Sequence, residues 1–435
     1  VTPTHNRRES VVRLLDRLRD GSYPSDQFEV VVVADDCADD TVATLAAAAY
    51  PFSLRVLEQV PGRGAAAART LGAAEARGTV LMFIDDDIEP LPGLLETHAR
   101  LHMESHDLVM VGAPIPVRGN GSAPGQIASW AWWEQQFERM RQSGHRFTYD
   151  EVFSGILSVR ADRFERAGGF KPEFNNCRDD SDLGYRLFNN GGHMAFLREA
   201  GGLHHEVRDY VRFVVRKRAE GRADVLLVEA HPELWPVVRL SSHLSPPWSS
   251  LGALRRLAFG ARGFGDAVSG RLMQLIAPLT RFGLHGTRRA VEGGVMYYNY
   301  WRGVATHLGD RAAFDALAVR VAAAAQEMAA LADSDALDLD LSEGLEAAER
   351  AIDAARPLAL HVRLGDVPVG DVHYEPGAEP LRGRHLRRLL ATRLAGPLAG
   401  ALTLADVKVE PTRTARAPGA DKSTAGPPSE VSAPP

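Results

Sequence analysis

The first half of this sequence predicts an α/β fold with a doubly wound, mostly parallel sheet, and three observations carry the prediction. Two short, β-branched apolar runs, "FEVVVVAD" (28–35) and "TVLMFIDDD" (79–87), have the composition of central parallel strands. Stretches of helical composition and spacing, 9–20 and 64–77, alternate with them. Both strands end on carboxylates, Asp35 with Asp36 and Asp85 to Asp87, and in doubly wound sheets ligands sit beyond the carboxyl ends of the strands.

The remaining elements follow in order. Val1 opens directly on "VTPTHNRRES" without a methionine, which leaves almost no first strand, so native residues upstream of Val1 are expected. The stretch "FSGILSVRADRFERAGGF" (153–170) reads as a strand and a short helix closed by a Gly-Gly turn. Next, "NNCRDDSDLGYRLFNNGG" (175–192) reads as a helix begun by Asp179, Asp180 and Asp182 and ended on glycines. "LHHEV" then supplies His204 and His205. A catalytic domain over 1–206, a mostly helical region over 207–335, an acidic linker and helix over 336–356 and a small α+β unit over 357–408 are expected. Residues 409–435, rich in Pro, Ala and Ser and poor in apolar residues, are expected to be disordered.

Composition limits the function classes. The 435 residues are 45% hydrophobic and 24% charged, enough for two or three domains with cores of their own. A net charge of -6 gives no reason to expect nucleic acid as a partner. Cys37 and Cys177 fit no metal-ligand spacing and suggest no disulfide framework, so a reducing compartment, the cytoplasm, is expected. No signal peptide and no apolar run of transmembrane length is visible. Residues 204–302 nevertheless carry 15 Lys and Arg against 8 Asp and Glu. The basic, apolar stretches "DYVRFVVRKRAEGRADVLL" and "LRRLAFGARGFG" suggest peripheral contact with the inner face of an anionic membrane.

Seven motifs occur in one order: "TPTHNRRES", "VVVVADDCADDT", "GRGAAAARTLGAA", "FIDDDIEP", "SVRADRFERAGGF", "RDDSDLGYRL" and "LHH". The set resembles the inverting glycosyltransferases of family 2, which have a GT-A fold, and the resemblance covers about residues 1–206. It implies a nucleotide-binding role for Pro3, Thr4, Asn6 and Arg7, base recognition by Asp35 and a place for Asp86 beside the nucleotide. It implies an Asp-x-Asp metal motif at Asp85 and Asp87 completed by His204, and Asp180 as general base. Asp179, Asp182, Trp132 and Trp133 are expected on the acceptor side, the tryptophans lying in "SWAWWEQQFERM" between the two acidic motifs. Departures from the family pattern are Ala34 beside Asp35, Thr70 where asparagine is common, and Asp179 where glutamate is common.

The resemblance implies a UDP-, GDP- or TDP-sugar donor, Mn²⁺ or Mg²⁺ as cofactor, and a saccharide or lipid-linked acceptor. A diphosphate leaving group gains charge as the glycosidic bond breaks, and a divalent cation held by carboxylates offsets it. Inversion needs a base on the face opposite the leaving group. Two other readings remain: a GT-A-like nucleotidyltransferase, which would not need the second acidic motif, and a nucleotide-binding pseudoenzyme or scaffold.

Overall fold

The computed structural model describes residues 1–117, 124–174, 177–205, 210–244 and 249–408. Its first half alternates strands and helices: β1 (Thr2–Thr4), α1 (Arg8–Arg19), β2 (Glu29–Asp35), α2 (Thr41–Ala47), β3 (Ser53–Gln59), α3 (Ala65–Glu75) and β4 (Val80–Ile84). The series continues with β5 (Ile88–Pro90), α4 (Leu94–Glu104), β6 (Leu108–Pro116), α5 (Pro124–Met140), β7 (Ile156–Arg160), α6 (Ala161–Arg166), α7 (Asp179–Asn189) and β8 (His193–His204).

Strands β1, β2 and β3 form a parallel sheet, and β4, β7, β6, β8 and β5 form a mixed one. Val1 joins the two: its nitrogen donates to Met82 O (2.8 Å), and Ile84 N donates to Val1 O (3.1 Å). Although only three residues long and all buried, β1 therefore lies at the centre, between β2 and β4.

Helix α1 buries Val11, Leu14, Leu15 and Leu18 at helical spacing against Val30 and Val32 of β2, while Val31 and Val33 on the opposite face meet Ala68 of α3. With both faces covered, β2 is a continuous apolar run rather than an alternating one. The run expected to be a strand over 79–87 stops earlier, at Ile84. Asp85 to Asp87 lie in the turn between β4 and β5, where Ile88 N donates to Asp85 O (3.1 Å). Three adjacent carboxylates would be costly inside a buried strand, and the turn turns them toward polar partners.

The region expected to be helical contains α8 (Tyr210–Ala230), α9 (Arg239–Ser242), α10 (Ser250–Gly260), α11 (Arg262–Arg281), α12 (His285–Leu308) and α13 (Arg311–Ser334). Helices α8 and α12 cross closely: a Cβ on Gly303 would fall 1.9 Å from Arg218 O, and one on Gly221 would fall 2.0 Å from Tyr300 O. The C-terminal half of α8 supplies Ala223, Val225, Leu227 and Val228, all fully buried, to the core shared with Tyr298, Tyr300 and Trp301. Toward its N-terminus the helix leaves Val211 and Val215 exposed, at 59% and 64%.

The acidic segment expected to be a linker also has a fixed place. Residues Leu337–Asp340 form β9, which pairs parallel with β10 (Leu360–Leu364), and β10 pairs antiparallel with β11 (Val367–Val372). Helices α14 (Leu345–Ala355), α15 (Gly383–Ala391) and α16 (Ala395–Lys408) cover this sheet around Leu339, Ile352, Leu360 and Leu386. The unit is fastened to the first half through Glu379, which is fully buried. Its carboxylate accepts from Met194 N (2.8 Å), Phe147 N (3.4 Å) and the Arg384 guanidinium (2.7 Å). Burial opposes ionisation there, but His385, Arg384 and Met194 N outweigh it and hold the carboxyl at about 2. The tail expected to be disordered lies outside the described residues.

Candidate functional site

The carboxyl ends of β1, β2 and β4 open on a cavity of about 730 Å³, and the start of α7 closes its far side. Of the residues singled out in the sequence, Pro3, Thr4, Arg7, Asp35, Asp85, Asp86, Trp133, Asp179, Asp180 and His204 line it. Segments about ninety residues apart in sequence thus face one space.

Arginine 69 holds the two acidic motifs together. It projects from α3, is 5% exposed, and donates to Asp85 Oδ1 (2.6 Å) and Asp179 Oδ2 (3.0 Å). Phe170 lies beneath the guanidinium, 5.4 Å from centroid to carbon. Burial alone would lower the Arg69 pKa, but Asp85 and Asp179 raise it, so the charge is kept. Burial pushes Asp179 up to about 6 against the pull of Arg69. No role was read for Arg69 in the sequence; the available signal was a single cation in an otherwise alanine-rich helix face.

A second arginine organises the other carboxylates. Arg7 Nη1 donates to Asp86 Oδ1 (3.0 Å) and Asp87 Oδ2 (2.8 Å), and Thr4 Oγ1 donates to Asp86 Oδ2 (2.8 Å). Burial raises Asp86 to about 6, with Arg7 and Thr4 restraining it. Burial also acts on Asp87, but the hydrogen bond and charge of His204, 3.4 Å away, together with Arg7, hold it at about 2. The Asp35 carboxylate accepts from Gln59 Nε2 (2.6 Å), Arg63 N (2.8 Å) and Gly64 N (2.9 Å), fixing the loop that enters α3.

Asp180 lies in the first turn of α7 and lines the cavity, its Oδ1 accepting from Ser181 N (2.8 Å). The preceding Arg178 has φ of 68°, a left-handed conformation unusual for a side-chain-bearing residue. Its Nε donates to Asp224 Oδ1 (2.7 Å) on α8, and Tyr300 of α12 donates to Asp224 Oδ2 (2.6 Å). Asp224 is fully buried and drives the Arg178 pKa well above the usual arginine value. The helical region therefore sets the orientation of the turn that presents Asp179 and Asp180.

Four of the expected site residues do not line the cavity. Asp182 does not line the cavity; it is 2% exposed and bound to Arg186 and to His231 (2.8 Å). It lies about 200° around the helix from Asp180, which turns it inward. Trp132 is 48% exposed and packs edge-on against Trp133 (4.9 Å between centroids), which lines the cavity beside Phe153. Asn6 accepts from Ala38 N (2.7 Å) and Asp39 N (3.2 Å) and latches that loop rather than lining the cavity. Asp87 lies between Arg7 and His204.

The expected metal donors are of the right chemical types, carboxylate oxygen and imidazole nitrogen. Asp87 and His204 are brought together, while Asp85 is drawn to Arg69. Among the described residues no three His, Cys, Asp or Glu side chains converge on one point. The donors therefore suit a divalent ion, but arginines now neutralise the carboxylates, and an ion at Asp87 would replace Arg7 as its counter-charge.

Residues 1–166 match the family model described as Glycosyl transferase family 2. An uncharacterized glycosyltransferase of Haemophilus influenzae is 36% identical over 87 residues, 20% of this chain and 28% of that protein. A validoxylamine A glucosyltransferase of Streptomyces hygroscopicus subsp. jinggangensis is 29% identical over 237 residues, 47% of this chain and 54% of that protein. The chain thus spans 28% and 54% of the length of these two curated relatives. Among solved structures, the mannosyltransferase PcManGT from Pyrobaculum calidifontis, in complex with GDP-Man and Mn2+, is 19% identical with a TM-score of 0.45, covering 69% of this chain and 86% of that one.

Proposed function

Because residues 1–166 match the model of glycosyl transferase family 2, we propose that this chain belongs to that family and moves a sugar from a nucleotide-sugar donor to an acceptor hydroxyl, inverting the anomeric carbon. One observation carries the reading beyond family membership: both acidic motifs face a single cavity and share Arg69. That arrangement suits a reaction with a leaving diphosphate at one end and a proton to be removed at the other.

In this reading the base stacks near Asp35 and the loop of Gly62 and Gly64, and the diphosphate lies toward Thr4, Arg7 and Asp86. Asp180 takes the proton of the acceptor hydroxyl as its oxygen attacks the anomeric carbon, and the bonding pair of the glycosidic bond leaves with the diphosphate. Asp179, held at about 6 and tied to Arg69, positions Asp180 rather than sharing its role. Trp133 and Phe153 offer an apolar face to the acceptor. Asp87 and His204, with Asp85 nearby, are the residues for Mn²⁺ or Mg²⁺, which when bound would offset the charge of the leaving diphosphate.

The test is calorimetric titration of UDP, GDP and TDP with and without Mn²⁺, followed by assay of nucleotide release from sugar donors matching the nucleotide bound. Binding of one nucleotide is expected, strengthened by metal. Asp180→Asn should keep that binding and lose turnover by roughly 10²- to 10⁴-fold. Failure of the folded protein to bind any of the three would overturn the proposal. Full turnover by Asp180→Asn would remove the base from it and favour a nucleotidyl transfer that does without the second motif.

A further inference from the structure

Helices α11 and α12 form a hairpin whose outer half has no core. Among residues 270–294, the ends of α11 and α12 nearest the loop, not one side chain is buried. None of them joins the core around Tyr298 and Trp301 from which the hairpin emerges. A Cβ added at Gly270, Gly283, Gly286 or Gly293 would meet nothing within 4 Å. The outer half of α11 spans about a dozen residues, so the hairpin reaches roughly 18 Å beyond its last buried residues. Helical segments of that length are marginal in water without a packed face.

The exposed residues are of two kinds. Leu275 is 49% exposed, and at the tip, between the helices, Phe282 is 75% exposed and Leu284 is 50% exposed. Around them the same segment carries Arg271, Arg281, Arg288 and Arg289 against a single acid, Glu292. Glu292 is already paired with Arg288 (2.7 Å), and among the described residues no ion pair engages Arg271, Arg281 or Arg289. The local excess of positive charge stands out in a chain of net charge -6.

From this arrangement we propose that the tip of the α11–α12 hairpin docks on an anionic phospholipid surface, Phe282 and Leu284 entering the acyl boundary and Arg271, Arg281 and Arg289 meeting lipid phosphates. An aromatic and an aliphatic side chain on one tight turn, flanked by unpaired cations, match the two parts of a bilayer interface. A second copy of the chain meeting the first tip to tip would bring the same arginines against one another, which disfavours self-association through this surface. The site is distinct from the α8 stretch suggested by sequence, whose C-terminal half joins the core. The proposal does not depend on the chemistry of the cavity, and its test requires no donor or acceptor.

The full chain is floated with vesicles of equimolar phosphatidylcholine and phosphatidylglycerol, and separately with vesicles of phosphatidylcholine alone. Co-flotation with the first only, reduced by added salt, is expected. Phe282→Ser with Leu284→Ser should abolish it, and Arg281→Glu with Arg289→Glu should lower partitioning by at least about 25-fold, from roughly fivefold per arginine. All four positions are solvent-exposed or nearly so, and an unchanged thermal midpoint would show that the variants fold. Absence of flotation with anionic vesicles, or equal flotation by wild type and both variants, overturns the proposal. So does concentration-dependent dimerisation, in sedimentation velocity, that the same substitutions remove.

Discussion

Replacing Arg69 by methionine removes the cation that Asp85 and Asp179 share while keeping most of its volume. Arg69 is 5% exposed and Asp179 is 4% exposed, so water cannot take over the pairing. Breaking a buried pair by deleting one partner costs about 3 to 5 kcal/mol. Asp179 can escape part of that cost by binding a proton. Burial already places it at about 6, and Arg69 is the main group pulling it down, so the variant's carboxyl titrates at higher pH still. Below about pH 5 Asp179 is largely protonated with or without Arg69, and this part of the cost is small. As pH rises above about 6, wild type ionises against Arg69 while the variant must either retain its proton or bury a bare charge, so the deficit grows. At about pH 8 a loss near 3 kcal/mol corresponds to a thermal midpoint lowered by roughly 6 to 12 °C for a domain of this size. The assay is thermal unfolding of both proteins across this pH range. A deficit of equal size at both ends, or none at either, would refute the coupling between Arg69 and Asp179.

Asp87 should show a pH dependence of the same sign in a lower window. Its folded value of about 2 lies below the ordinary 3.8, so its stabilisation is present above pH 3.8 and is lost as pH falls through 2. Asp87→Asn is therefore expected to cost roughly 2 kcal/mol near neutral pH and almost nothing at the acid end; denaturant titration at the two pH values checks this. Gly303→Ala should cost about 1 to 3 kcal/mol by forcing α8 and α12 apart. An unchanged denaturation midpoint would mean that the crossing relaxes without penalty.

The sequence made the strand ends legible because a buried parallel strand needs apolar residues on both faces, and any charge at its end is conspicuous. Asp35, Asp85 and Asp86 were found in this way, and Asp179 and Asp180 by the helix start that follows Arg178. Strands β3, β6 and β8 were not legible. In β3, "SLRVLEQ" is partly exposed and mixed in character, while β6 and β8 contain Gly112, Gly201 and Gly202, whose missing side chains let the strands approach closely. Arg69 escaped notice because its importance comes from two partners 16 and 110 residues away, which no local pattern reports. The two halves of α8 were not separable for a similar reason: basic and apolar residues alternate along it, and only the crossing with α12 shows which half packs in the core. Asp182 was grouped with Asp179 and Asp180 by adjacency, although helical geometry sends it the other way.

Glu379 ties the order of synthesis to the completion of the fold. Met194 N opens β8 and Phe147 N precedes β7, yet both donate to a carboxylate nearly two hundred residues or more further along the chain. During translation the first half can collapse around its own core, but those two amides have no protein acceptor until the last quarter of the described chain has left the ribosome. The unit that carries Glu379 therefore acts as a late-arriving keystone: the first half lacks that acceptor until it docks, and the edge should close only after residue 379 has emerged.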